Sequence, residues 1–164
     1  MRLERSSLLI KAVALVTVGI VVCDEDQTIS RFTVVEDAGY ATNCGSAPFN
    51  LSWTPKVLSP FKPINMTVVF RLPYELDGGS YNVVVTQYGM PDPFITFTNQ
   101  FTCAEVKKYM ECPAQKGYVI NKTLHMEHTE GLTIFLGRFI MKAELKNRAG
   151  KLLLCANLDF TVNN

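Results

Sequence analysis

Two cysteines and two histidines in the second half of the chain are the residues whose types and spacing could do chemistry. Cys103 and Cys112 have eight residues between them, and His125 and His128 lie downstream. Such a set could bind zinc, carry out a redox reaction or contain a structural disulfide. Zinc motifs usually space paired cysteines by about two to four residues. The spacing therefore favours a disulfide over a metal site.

The beginning of the chain has the pattern of a secretory signal peptide. Basic residues precede a run of twelve apolar or small residues at 12–23, and the acidic stretch DEDQ follows. A membrane span needs about 20 apolar residues, so this run is too short. We predict a signal peptide at 1–23 and one domain at 24–164. The alternative, an uncleaved anchor extended back to Leu8, would contain Lys11 within its apolar run.

Cleavage after Cys23 changes the cysteine count. The mature chain would keep four cysteines, Cys44, Cys103, Cys112 and Cys155. An even number of cysteines in a secreted chain indicates a disulfide framework, and four cysteines allow three pairings. We favour the local pair 103–112, which leaves 44–155.

Three N-glycosylation sequons support a secretory compartment, and they begin at Asn50, Asn65 and Asn121. The full chain has 16 Lys and Arg residues and 15 Asp and Glu residues. Residues 1–23 contain three of the basic residues and one of the acidic ones, so the remaining chain has 13 basic and 14 acidic residues, a net charge of −1. This balance predicts no basic surface for nucleic acid.

The remaining sequence alternates between apolar and polar residues as half-buried β-strands do. In one segment Met66, Val68 and Phe70 share a face opposite Asn65 and Thr67. Similar segments lie at 80–88, 137–147 and 151–162, and shorter ones at 49–57, 94–101 and 117–126. These runs predict an all-β fold, an antiparallel β-sandwich of seven or eight strands, with at most one helical turn in the 103–112 loop.

No set of residues typical of an active site occurs in the sequence. It has no glycine-rich phosphate loop and no G-x-S-x-G turn, and neither histidine has a nucleophile to pair with. We therefore predict that the protein is not an enzyme, binds no metal and needs no cofactor. Lys107, Lys108 and Lys116 could contact anionic headgroups or form a solvated face.

Several short stretches together resemble the ML family of lipid-recognition proteins, from about residue 40 to the end. They are NCGS at 43–46, NMTVVF at 65–70, F-x-C at 101–103, CPAQKG at 112–117, GRFIMKAELKNRAGKLLLC at 137–155 and the final DFTV. The nearest branches are the phosphatidylglycerol/phosphatidylinositol transfer proteins and the Niemann-Pick sterol carriers. The extra early disulfide of the sterol-carrying relatives has no counterpart in this chain.

The resemblance implies an immunoglobulin-like sandwich with an apolar cavity between its sheets, together with the pairings 44–155 and 103–112. Inward positions of the predicted strands would line that cavity, although they could also fill an ordinary sandwich core. They are Val68, Phe70, Val83, Val85, Phe94, Phe101, Ile120, Leu124, Phe139 and Met141.

The function implied is that of a secreted or endolysosomal protein that transfers one lipid between membranes. The expected partners are phosphatidylinositol, phosphatidylglycerol or a sterol, and transiently a membrane surface. The alternative is a protein that presents a lipid, or an activator that acts with an unknown receptor or a lipid hydrolase.

Overall fold

The computed structural model describes residues 39–107, 109–127 and 129–163. The predicted signal peptide at 1–23 lies outside the described residues, as do Lys108 and His128. Within these described ranges, no helix is long and apolar enough to cross a membrane.

The described chain is built from strands with two short helices. The strands are β1 (Tyr40–Asn43), β2 (Phe49–Thr54), β3 (Val57–Leu58), β4 (Ile64–Arg71), β5 (Gly78–Gln87), β6 (Ile95–Thr102), β7 (Val119–Met126), β8 (Gly137–Asn147) and β9 (Leu152–Val162). The helices are α1 (Cys103–Val106) and a 3-10 helix (Glu130–Ile134).

Two sheets form the sandwich. The larger sheet has the order β1-β9-β8-β5-β6, with β3 beside β9, and the smaller sheet has the order β2-β4-β7. All pairs are antiparallel except β3 with β9. The predicted all-β sandwich is confirmed, and α1 supplies the single helical turn expected in the disulfide loop. The described residues form nine strands, whereas the sequence predicts seven or eight.

The extra strands come from segments that local patterning does not separate. The run predicted at 49–57 is divided at Pro55, which directly follows the last residue of β2. The second part, β3, pairs with β9 in the larger sheet, whereas β2 belongs to the smaller sheet. Proline has no N–H to donate to a sheet ladder, so a strand readily ends there. β1 has four residues, too few to show an alternating pattern.

Alternation along the long strands decides which side chains are buried. In β4, Met66, Val68 and Phe70 are buried while Asn65 and Arg71 are exposed. The same period of two holds along β5 and β8. The inward sides of both sheets therefore supply the hydrophobic core, as the sequence predicts.

The two sheets are joined along one edge, beside β1 and β2. The Cys44–Cys155 disulfide links the turn after β1 to β9. Gly39 lies against Trp53 so closely that an added Cβ would be 2.6 Å from the indole ring. At the opposite edges of the sandwich lie β6 in the larger sheet and β7 in the smaller one.

One end of the sandwich is fastened by the second disulfide. Cys103–Cys112 closes the segment after β6, and Leu76 and Ala114 form a two-way backbone bridge with N–O distances of 2.9 Å. Asn147, the last residue of β8, is buried, and its side-chain amide donates to the Glu75 carbonyl oxygen at 3.0 Å. We call this the disulfide end.

Candidate functional site

The inward faces of the two sheets form the candidate site. Register pairs place Phe49, Phe70 and Ile120 in one row across the smaller sheet. In the larger sheet, Val85 lies beside Met141 on β8. Paired residues point to the same side of a sheet, so each of these rows contributes to an inward face that is mainly apolar.

The structure divides the ten residues predicted to line a cavity according to their burial. Six are almost completely buried: Val68, Phe70, Val83, Val85, Ile120 and Phe139. Phe101, Leu124 and Met141 are half-buried on inward positions of their strands. Phe94 precedes β6 and is 47% exposed, so it belongs to the end of the sandwich and not to a position along a strand.

The half-buried inward residues are concentrated on the edge strands. Ile95 and Phe97 on β6 are half-buried like Phe101, and Met126 on β7 is half-buried like Leu124. Alternation of apolar residues with threonine in ITFT at 95–98 is the sequence signal that would have identified Ile95 and Phe97. Apolar side chains therefore remain accessible along the β6–β7 side, whereas the β1–β2 side is closed.

A cluster of phenylalanine rings occupies the end of the sandwich away from the disulfide end. The Phe139 ring centroid is 5.5 Å from that of Phe94 and 5.5 Å from that of Phe135. Phe160, on β9, is 6.0 Å from Phe139. Phe94 and Phe135 come from segments outside the strands, whereas Phe139 and Phe160 lie in β8 and β9. The cluster therefore joins the interior to the surface.

The predicted glycosylation sites lie together on the outer face of the smaller sheet. Asn50 and Asn121 flank Val69 from either side, since both pair with it in register. Asn65 is on the same face, and its Oδ1 is 2.6 Å from His125 Nδ1. All three asparagines are exposed, so the sequons are kept away from the inward faces.

His125 is the histidine that the structure describes, and its contacts are polar and exposed. Its Nε2 is 2.9 Å from Glu127 Oε1 and its Nδ1 faces Asn65. Its two ring nitrogens thus face an amide oxygen and a carboxylate oxygen. Within the described ranges, no group of three His, Cys, Asp or Glu residues could hold a metal ion.

A polar cleft of about 180 Å³ lies on the outer face of the larger sheet. It is lined by Ser80, Tyr81, Asn82, Thr98, Glu144 and Lys146. The hydrogen bond from Lys142, at 2.7 Å, lowers the pKa of the Glu144 carboxyl, and the charge of Lys146 acts in the same direction. A carboxyl held ionised in this way is poorly suited to act as a general acid.

Comparison with known proteins identifies the family. The sequence profile of the ML domain matches residues 40–162. The chain belongs to the ML-domain family. No curated protein sequence matches it significantly.

Solved ML-like structures share this fold. Chicken MD-1 complexed with lipid IVa is similar with a TM-score of 0.57 and 15% identity, over 74% of this chain and 86% of that chain. A Niemann-Pick type C2 protein from Japanese carpenter ant has a TM-score of 0.55 and 13% identity, over 74% of this chain and 98% of that chain. At these identities the similarity shows that the fold is shared.

Proposed function

We propose that this ML-domain protein binds one membrane lipid between its two sheets and carries it between membranes. The observation that carries the proposal is the row of accessible apolar side chains on the inward faces of β6 and β7. Phe97, Phe101 and Leu124 can contact a lipid without unpacking the buried centre of the sandwich. The neighbouring MD-1 structure, which holds lipid IVa, supports lipid as the ligand class.

Hydrophobic transfer energies explain why such a site suits a carrier. Each buried CH₂ is worth about 0.8 kcal/mol relative to water. A bound acyl chain therefore does not leave freely into solution. In a bilayer the same chain is equally shielded from water, so exchange at a membrane surface costs little.

The lipid is proposed to be phosphatidylinositol, phosphatidylglycerol or a sterol, and the compartment secreted or endolysosomal. Two disulfides are typical of an oxidising compartment. The ML domain is a fold of lipid-binding proteins, which supports a role without catalysis.

The direct test is to purify the protein from a secretory host, extract it with organic solvent and identify bound lipid by mass spectrometry. Transfer is then measured with fluorescent phosphatidylinositol, phosphatidylglycerol and sterol moving between donor and acceptor vesicles. We expect one bound lipid per protein and faster transfer of that class, with the lipid unaltered.

A matched pair of variants on β6 locates the site. Phe97→Asp places a charge on the inward face and should abolish loading, because an unpaired carboxylate in apolar surroundings costs several kcal/mol. Thr96→Asp, its exposed outward neighbour, should load normally. If the two variants bind equal amounts of lipid, the inward face of β6 is not part of the lipid site. Tight retention of a lipid without transfer would favour the lipid-presenting alternative.

A further inference from the structure

Exposed apolar side chains are concentrated at the end of the sandwich away from the disulfide end. Six large side chains there are each at least 46% exposed: Phe61, Tyr88, Met90, Phe94, Ile134 and Leu136. They lie in three connections, between β3 and β4, between β5 and β6, and between β7 and β8. We call this surface the apolar end.

Direct contacts hold the three connections together. The Thr129 amide donates to the Pro60 carbonyl oxygen at 3.3 Å, which joins the β7–β8 connection to the β3–β4 connection. The Phe94 and Phe135 ring centroids are 5.7 Å apart, which joins the β5–β6 connection to the β7–β8 connection. The exposed residues therefore belong to one surface.

The apolar end is continuous with the hydrophobic core between the sheets. Phe94 and Phe135 both contact Phe139, which is 2% exposed, and Phe139 contacts Phe160. An apolar surface that extends from solvent into an apolar interior suits a bilayer, because a lipid chain could move between the two without crossing water.

The border of the apolar end carries the aromatic and cationic residues typical of a membrane interface. The Arg138 guanidinium lies 4.2 Å from the Tyr88 ring centroid and is paired with Asp159 at 2.8 Å. Lys62 follows Phe61 and is exposed, and Asp92 is exposed in the β5–β6 connection. Glu127, in the β7–β8 connection, is exposed as well. The border therefore carries charges of both signs, and attraction to anionic lipid is a minor contribution.

We propose that the apolar end is the surface by which this protein docks on a lipid bilayer. This inference rests on the proposed carrier function and adds to it the end of the molecule through which lipid would pass. It also separates two candidate docking surfaces. Lys107 and Lys116 lie at the disulfide end, beyond the other end of the ten-residue strand β5, about 30 Å away at the usual rise per residue.

Tryptophan scanning with brominated-phospholipid vesicles tests which end enters the bilayer. Ile134→Trp is at the apolar end, and Val119→Trp, also at an exposed apolar position, is at the disulfide end. Trp53 is 3% exposed and gives the background in both variants. We expect quenching above this background in Ile134→Trp alone. Quenching in Val119→Trp alone would overturn the proposal.

Vesicle co-sedimentation of Met90→Ser/Ile134→Ser and Lys107→Ser/Lys116→Ser compares the two ends. The affinity of the apolar-end variant for vesicles should fall by about tenfold or more, because two apolar side chains are no longer buried in lipid. The lysine variant should bind like the unmodified protein, at low and at high salt. Loss of binding in the lysine variant, or salt-sensitive binding of the unmodified protein, would overturn the proposal.

Lipid extraction separates failure of docking from failure of the carrier function. The apolar-end variant should keep its bound lipid, since Met90 and Ile134 are outside the proposed lining. If the unmodified protein contains no lipid but Ile134→Trp is quenched, the docking surface stands and the carrier function fails. If the apolar end instead mediates self-association, sedimentation velocity will show dimers that the serine variant abolishes, and the bilayer proposal is wrong.

Discussion

At the scale of single residues, Phe70 shows what an inward register position contributes. It is 1% exposed near the end of β4 and lies between Phe49 on β2 and Ile120 on β7. Phe70→Ala should lower the free energy of unfolding by about 3–5 kcal/mol, because it leaves a cavity among well-packed neighbours. Chemical denaturation measures this change.

Arg71, the next residue, is the control for Phe70. It is exposed on the opposite face of the same strand, and Arg71→Ala should change the stability by about 0.5 kcal/mol or less. Equal destabilisation by the two variants would contradict the register of β4.

At the scale of elements, the start of β5 depends on two glycines. Gly78 has a φ of +113°, and a Cβ added at Gly79 would lie 1.9 Å from the Lys146 carbonyl oxygen on β8. Gly79→Ala should therefore force β5 and β8 apart and cost about 1–3 kcal/mol or more. Thermal unfolding measures the loss.

A glycine in open space is the comparison for Gly79. Gly89 has a φ of +80° and no atom within 4 Å of an added Cβ. Gly89→Asn should be tolerated, because asparagine adopts positive φ more readily than other residues. A larger loss of stability from Gly89→Asn than from Gly79→Ala would contradict the close approach of β5 and β8.

The edge strands differ in how they meet solvent. Phe97 on β6 and Leu124 on β7 are only half-buried, although both occupy inward positions. Lys122 also takes an inward position on β7 and is exposed. A lysine on an edge strand disfavours pairing with another chain, so this side can stay open without promoting aggregation.

At the scale of the whole molecule, the two disulfides constrain the chain over very different lengths. Cys44 and Cys155 are 111 residues apart, whereas Cys103 and Cys112 are 9 apart. By the chain-entropy relation the long loop contributes about 4.7 kcal/mol and the short loop roughly 3 kcal/mol or slightly less. Cys44→Ala/Cys155→Ala should therefore destabilise the protein more than Cys103→Ala/Cys112→Ala in urea unfolding.

Peptide mapping without reduction accompanies that comparison. It should recover the 44–155 and 103–112 pairs from the unmodified protein. A 44–103 or 112–155 peptide would contradict the framework, and a more severe effect of the 103–112 variant would show that the short loop does more than limit chain entropy.

The outer surfaces of the molecule divide by chemistry. The three sequons lie on the exposed face of the smaller sheet, and the exposed apolar side chains lie mainly at one end. Glycans on that face would leave the apolar end accessible. This arrangement is compatible with docking through the end while the glycosylated face stays in water.

Sequence alone determined the sandwich, the inward sides of the long strands and the ML resemblance, because alternation and motif order are local properties of the chain. It assigned Val68, Phe70 and Phe139 to the inward side, where they are buried.

Tertiary structure alone decided how deeply each inward residue is buried, since burial depends on what the opposite sheet covers. It also decided the parallel pairing of β3 with β9, the position of Phe94 outside β6 and the gathering of three connections into one apolar end. These features arise from contacts between residues far apart in the chain, which the local pattern of apolar and polar residues does not encode.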